Sequence, residues 1–243
     1  MAMLEIKNIH KAFDGLGVLK GVSLSVEKGD VVAILGKSGS GKTTLLRCIN
    51  FLETADDGKL VFDGETVPLH NASKRDIARI RKKTAFVFQN YNLLAKTTAV
   101  ENVELPLMYN SEYSATQRRE AAIKALEAVG LANRLDHKSN QMSGGQMQRV
   151  AIARALVNNP AVILADEATG NLDTRTSFEM LVLFQQLHKE GRTIIFVTHN
   201  PEIAQYSSRN IMLRDGLIRE DVINDNILSA AEALAALPIP NDQ

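Results

Sequence analysis

Tryptophan is absent from this chain, and cysteine occurs once, at Cys48. One thiol cannot close a disulfide within a chain, so the fold must rest on a buried core, and 243 residues suffice for one. Residues 45–52 read as a buried helix, which makes Cys48 a small core residue rather than a reactive thiol. An excess of charge is also missing: 28 Lys and Arg balance 28 Asp and Glu. That balance argues against a dedicated nucleic-acid binder, which carries a basic surplus. No apolar run approaches the roughly 20 residues that cross a bilayer. The longest weakly polar stretch, 227–240, carries Glu232. The opening MAMLEIKNIH lacks the basic-then-apolar order of a secretion signal. The chain is therefore expected to be soluble by itself, and any work at a membrane needs a chain that spans it.

What is present is a set of short, continuous apolar runs: VVAIL (31–35), AFVF (85–88), AVILA (161–165) and IIFV (194–197). Apolar residues at every position suit strands covered on both faces. Helical patterns lie between them, at 42–53, 115–129 and 174–190. The second has a capping-box pair, Ser114 and Gln117, with Ala122, Ile123, Leu126 and Val129 on one face. The third turns Phe178, Leu181, Phe184 and Leu187 inward. Alternating strands and helices predict an α/β fold with a mostly parallel sheet. Residues 1–30 and 58–68 alternate and read as antiparallel β structure. Residues 90–157 read as an inserted helical subdomain. Together, 1–223 form one domain, and 224–243 are a tail, either a short docked helix or loose chain.

The stretch AILGKSGSGKTTLL (33–46) carries the chemistry. Gly36, Lys37, Ser38, Gly39, Ser40, Gly41, Lys42 and Thr43 fit G-x-x-x-x-G-K-[ST], between a strand and a helix that continues through Thr44. Successive backbone N–H groups in such a loop make an anion nest, and the helix start adds unpaired donors. Glycine lets phosphate oxygens approach the backbone. Lys42 supplies a point charge for β and γ oxygens, and Thr43 a hydroxyl for Mg²⁺. The run AVILADE delivers Asp166 and Glu167 at a strand's C-terminal end, where open α/β sheets place ligands. Asp166 would serve the metal and Glu167 would polarise an attacking water. MSGGQMQRVAIARAL (142–156) opens a second helix with Ser143, Gly144 and Gly145. It is either a plain helix cap or a second anion site that closes on another protomer's nucleotide.

The ordered set resembles the ATPase subunit of ATP-binding-cassette (ABC) transporters over nearly the whole chain to about residue 220. The resemblance implies a P-loop NTPase core, with ATP and Mg²⁺ as ligands. It makes SGGQ the signature motif, Ser143, Gly144, Gly145 and Gln146. It implies that Gln89 in FVFQN touches Mg²⁺ and water beside the surface facing a membrane subunit. It assigns NLD (171–173), with Asp173, to the D-loop, His199 to the γ-phosphate, and Phe13 to an aromatic face against adenine. Two departures stand out. Met142 precedes the signature serine in place of leucine, a volume-conserving swap. Ala168 follows Glu167 in place of proline and frees a backbone φ that proline would fix.

By this resemblance two copies pack head to tail as a homodimer with ATP sandwiched between them. They work at the inner, cytoplasmic face of the cell membrane through an integral membrane subunit, without nucleic acid. NYNLLAKTTAVENVELPLMYN and ADEATGNLD are similar to the macrolide-exporter and lipoprotein-release group, whereas RCINFLE looks like polar amino-acid importers. The later segments weigh more, because they include the stretch beside Gln89. A small-molecule kinase would share the phosphate loop but needs an acceptor. The guanine-reading N-K-x-D motif of GTPases is absent, and no heptad run separates Thr43 from Ser143 as in DNA-repair ATPases.

Overall fold

Three of the four continuous apolar runs become inner strands of one sheet, AFVF forms its edge, and alternating runs become a second sheet. The structure is a computed structural model that describes residues 2–110, 112–170 and 172–238. In chain order the strands are β1 (Leu4–Phe13), β2 (Leu16–Val26), β3 (Val31–Leu35), β4 (Asp57–Phe62), β5 (Glu65–Pro68), β6 (Thr84–Val87), β7 (Val162–Asp166), β8 (Thr193–Thr198), β9 (Arg209–Arg214) and β10 (Leu217–Ile223). The helices are α1 (Lys42–Ile49), α2 (Lys74–Lys83), α3 (Ala99–Glu104), α4 (Ala115–Ala128), α5 (Gly144–Leu156), α6 (Thr174–Lys189), α7 (Pro201–Ala204) and α8 (Ala230–Ala236).

The larger sheet runs β10-β9-β3-β8-β7-β6, parallel except for the antiparallel β10 edge. Period-two alternation splits its strands between two cores. Val31, Ala33 and Leu35 of β3 face a core shared with α4, α5 and α6. Val32 and Ile34 face a core shared with α1 and the smaller sheet. Every residue of β3, β7 and β8 is buried, which is why no polar position interrupts them. The smaller sheet, β2-β1-β4-β5, is antiparallel throughout. Leu45, Leu46 and Ile49 anchor α1 beneath it, each contributing about 1.5–3 kcal/mol through burial.

Between β6 and β7 the described chain is helical, with α3 and α4 both opened by complete capping boxes, the second being Ser114 with Gln117. Ala122, Leu126 and Val129 are buried in its core, with Ile123 packed against it. On α6, Leu181, Phe184 and Leu187 turn inward as the pattern predicts. The first helix is shorter than its pattern suggests. It stops at Ile49 because Phe51 takes a left-handed φ of 57°, and Arg81 donates to the freed carbonyls of Asn50 and Phe51 at 3.2 and 2.7 Å. The tail forms α8, whose Ala230 is buried and whose backbone N–H donates to Gln185 Oε1 on α6. Residues 239–243 lie outside the described residues. Cys48 is buried, and burial pushes its thiol up to about 12.

Candidate nucleotide-binding site

Three adjacent parallel strands bring the candidate residues together. Leu35 of β3 pairs with Thr198 of β8, and Asp166 of β7 pairs with Val197. The loops that leave these strand ends, starting at Gly36, Glu167 and His199, therefore emerge side by side at the sheet's C-terminal edge. Gly41 caps α1 with φ 102°, a left-handed conformation open to glycine. A Cβ there would lie 2.9 Å from Leu19 Cδ2 and 3.0 Å from the Val18 carbonyl oxygen. A Cβ on Gly36 would overlap the Leu213 carbonyl oxygen. The loop is thus pressed between β2 and β9, with Lys37, Ser38 and Gly39 exposed. Lys42 is 5% exposed, and its Nζ donates to the carbonyls of Gly36 and Lys37 at 2.8 and 3.0 Å. Burial lowers its pKa, against the charges of Glu167 and Asp166. Thr44 follows in the first turn of α1, half-buried.

Across the loop, Thr43 Oγ1 donates to Asp166 Oδ1 at 2.6 Å. Asp166 is 4% exposed, and burial raises its pKa despite that hydrogen bond. Glu167 follows with φ 44°, a strained backbone for a residue with a side chain. Its turn is closed by Gly170 N–H donating to the Glu167 carbonyl at 2.8 Å, so the chain holds this turn without a proline at Ala168, which is itself buried. The Glu167 carboxylate receives Gln89 Nε2 at 3.2 Å, and His199 Nδ1 lies 3.5 Å from its other oxygen. A cavity of about 280 Å³ opens beside Glu167, Gly170, Phe178 and His199. A larger one, about 990 Å³, lies along residues 35–40 and His199.

These features fit a bound polyphosphate and a hard cation. Ser40 Oγ is buried without a hydrogen-bond partner among the described residues, a state that a ligand oxygen at the loop would relieve. Lys42 is a buried cation whose ammonium donates to the Gly36 and Lys37 carbonyls. The hydroxyl of Thr43 with the carboxylate of Asp166 is an oxygen set suited to Mg²⁺, which takes one or two carboxylates together with phosphate and water. Among the described residues no cluster of three or more His, Cys, Asp or Glu forms a separate metal cage.

The remaining candidates line neither cavity, although Leu172 and Thr174 on either side of Asp173 line the smaller one. Ser143 caps α5 in a capping box with Gln146: Gln146 N–H donates to Ser143 Oγ at 3.3 Å, and Ser143 N–H to Gln146 Oε1 at 3.0 Å. Gly144 and Gly145 form the first turn. None of residues 143–146 lines either cavity. Met142, just before them, is buried in the core. Asp173 caps α6 through Thr176, whose backbone N–H and hydroxyl lower its pKa; Asn171 lies outside the described residues. Phe13 ends β1 at the tip of the β1–β2 hairpin, 43% exposed, with Lys11 Nζ 4.8 Å from its ring centre. Sequence reasoning overlooked Gly170, where a Cβ would sit 3.3 Å from Glu167 Oε2 and 3.4 Å from Gln89 Nε2. Its signal was the lone glycine three residues after the acidic pair.

Buried Asp166 also sets a stability trade. A carboxylate whose folded pKa is raised binds its proton more tightly when folded. Ionisation therefore costs stability as pH rises from the ordinary value of about 4 through the folded value, and fully above both. Asp166→Asn keeps an acceptor for Thr43. It should raise the melting temperature of the nucleotide-free protein at pH 8 by about 2–4 °C, the equivalent of about 1 kcal/mol, with a gain that shrinks as pH falls toward 4. A lower melting temperature at every pH would show the carboxylate to be net stabilising.

The fold and the site define an α/β phosphate-loop nucleoside triphosphatase. Residues 19–170 match the family described as ABC transporter, and the chain belongs to that family. It is 48% identical over 222 residues to an uncharacterized ABC transporter ATP-binding protein of Thermotoga maritima, covering 89% of this chain and 93% of that one. It is 43% identical to the macrolide export ATP-binding/permease protein MacB of Bdellovibrio bacteriovorus over 97% of this chain but 35% of that protein, so it spans about a third of that relative's length. The solved dimeric post-hydrolysis state of the ATP-binding cassette MJ0796 with ADP and Pi superimposes with a TM-score of 0.81 at 38% identity, covering 91% and 99% of the two chains. The chain is an ATP hydrolase of the cassette type.

Proposed function

We propose that two copies of this chain close head to tail on ATP. The phosphate loop of one copy and Ser143, Gly144 and Gly145 of the other hold each nucleotide, and the closure drives a membrane-embedded permease. The observation that carries this reading is the position of the capped α5 start, outside both cavities of its own catalytic cluster. In this reading the nucleotide it meets is held by another chain. The cassette neighbour solved as a dimer with ADP and Pi supports the pairing of two copies.

Within one site, the 36–43 backbone and Lys42 bind the polyphosphate, and Phe13 offers a ring to the base. Thr43, Asp166 and Gln89 would hold Mg²⁺, which would supply Lewis-acid charge against phosphate oxygens. Glu167 accepts a proton from water as its oxygen attacks the γ-phosphorus. The bond from that phosphorus to the β–γ bridging oxygen breaks, and ADP and phosphate result. His199 and Gln89 orient the Glu167 carboxylate from both sides. Asp173 and the D-loop lie at the seam between copies. Hydrolysis removes the γ-phosphate bridge, and the dimer opens.

No helix among the described residues is long and apolar enough to cross a membrane; in this reading the permease supplies the crossing, and this chain sits at its cytoplasmic face. The match to MacB proteins, which extends across RCINFLE as well as the later segments, favours the macrolide-exporter type over an amino-acid importer. If two copies form each site, the rate of phosphate release per subunit should rise with protein concentration through the micromolar range. A rate per subunit that stays constant on dilution to nanomolar protein would contradict the paired site.

A further inference from the structure

Gln89 stands on a loop whose next turn is held from elsewhere in the fold. Tyr91 and Asn92 both adopt left-handed backbone, with φ of 54° and 49°, a conformation that residues with side chains keep only where surroundings fix it. Asn92 N–H also donates to the Asn90 carbonyl. The two left-handed residues have a shared partner. Arg154, in the last turn of α5, donates from one terminal nitrogen to the Asn92 carbonyl at 2.7 Å and from the other to the Tyr91 carbonyl at 2.8 Å. A planar guanidinium can grip two successive carbonyls at once, whereas an ammonium cannot reproduce the fork.

The same helix meets the same loop at its start. A Cβ on Gly144 would lie 2.9 Å from the Tyr91 hydroxyl oxygen, so the tyrosine rests against the first glycine of the turn. A Cβ on Gly145 would strike Thr176, whose hydroxyl donates to Asp173 Oδ2 at 2.6 Å. Both glycines are close-approach positions within their own chain. The α5 start is thus in contact with the Gln89 loop on one side and the α6 cap on the other, while Gln89 itself reaches Glu167 at 3.2 Å.

We propose that Arg154 is a positioning residue: it locks the Tyr91–Asn92 turn to α5, so that α5 and Gln89 move as one body. The inference rests on the paired-site reading above. When α5 engages the nucleotide on the facing copy, its displacement carries Gln89 and resets the Gln89–Glu167 contact in its own site. Arg154 thereby links the two sites of the dimer.

The test is a cycle of Arg154→Met and Gln89→Ala, singly and together, on the full chain. Arg154→Met should lower kcat about tenfold, the scale of a small misplacement near a reacting group, and bring the Hill coefficient for ATP toward one. Nucleotide affinity at the phosphate loop should stay within twofold. In the Gln89→Ala background the same change should cost less than twofold more. A full tenfold loss in both backgrounds, or an equal loss of nucleotide affinity, would overturn the proposal. If Arg154→Met does not fold, Arg154→Lys takes its place: one ammonium cannot hold both carbonyls, so kcat should fall in the parent background and by less than twofold in the Gln89→Ala background, and an equal fall in both would overturn the proposal. An inert Gln89→Ala would overturn the route through Gln89, while ATP-dependent dimer mass, read separately, reports on the paired site itself.

Discussion

Glu167→Gln is expected to lower ATP turnover by about 10²–10³-fold, the scale of a lost general base, and to hold an ATP-bound dimer at micromolar protein. The substitution preserves size, and the turn closed by Gly170 N–H onto the 167 carbonyl is independent of the side chain. The carboxylate that pairs with Gln89 and His199 is replaced by a neutral amide. Two consequences follow from the same atoms. The water loses its proton acceptor, so chemistry stops. The edge of the phosphate site loses a negative charge, so ATP binds at least as tightly as before. Phosphate release and light scattering in ATP measure the two effects. A variant that stays monomeric with ATP, or turns over within tenfold of the parent, would contradict the role given to Glu167.

Lys42→Ala should weaken ATP binding by about 100-fold or more, about 3 kcal/mol, as expected for removing one partner of a buried charge contact. The ammonium bridges the carbonyls of Gly36 and Lys37. On binding, the γ-phosphate offers it a charged partner in place of two neutral ones, in surroundings dry enough to lower its pKa. Its loss removes that charge and leaves two loop carbonyls without their donor. Titration with a fluorescent ATP analogue reads the affinity, and a melting curve within a few degrees of the parent confirms the fold. Affinity within threefold of the parent would place the phosphate elsewhere.

Much of this site is legible in the sequence, because local chemistry dictates it. A glycine-rich loop between a fully apolar strand and a helix has one common use, and the acidic pair closing β7 needs a partner to be buried. The runs of β3, β7 and β8 announce inner strands because both faces are covered. Other parts are tertiary. Helix α2, KRDIARIRKK, turns only Ile77 and Ile80 to the core, an apolar stripe too short to mark it. The β9–β10 hairpin, with β10 largely exposed, lacks the continuous pattern of an inner strand. Nothing local joins Arg154 to Tyr91 and Asn92 across more than sixty residues, or Gln89 to Glu167 across 78. Ser143 illustrates a different limit. Its capping box satisfies its own helix start, and the same local pattern would serve a plain cap or a ligand on another chain.

The paired site is tested most directly by a crystal structure of the Glu167→Gln protein grown with ATP and Mg²⁺. The account predicts the β and γ phosphates cradled by residues 36–43 of one copy, with Ser143 Oγ of the facing copy within hydrogen-bond distance of the γ-phosphate. A nucleotide bound away from that loop, or a Ser143 facing solvent in every copy, would contradict it.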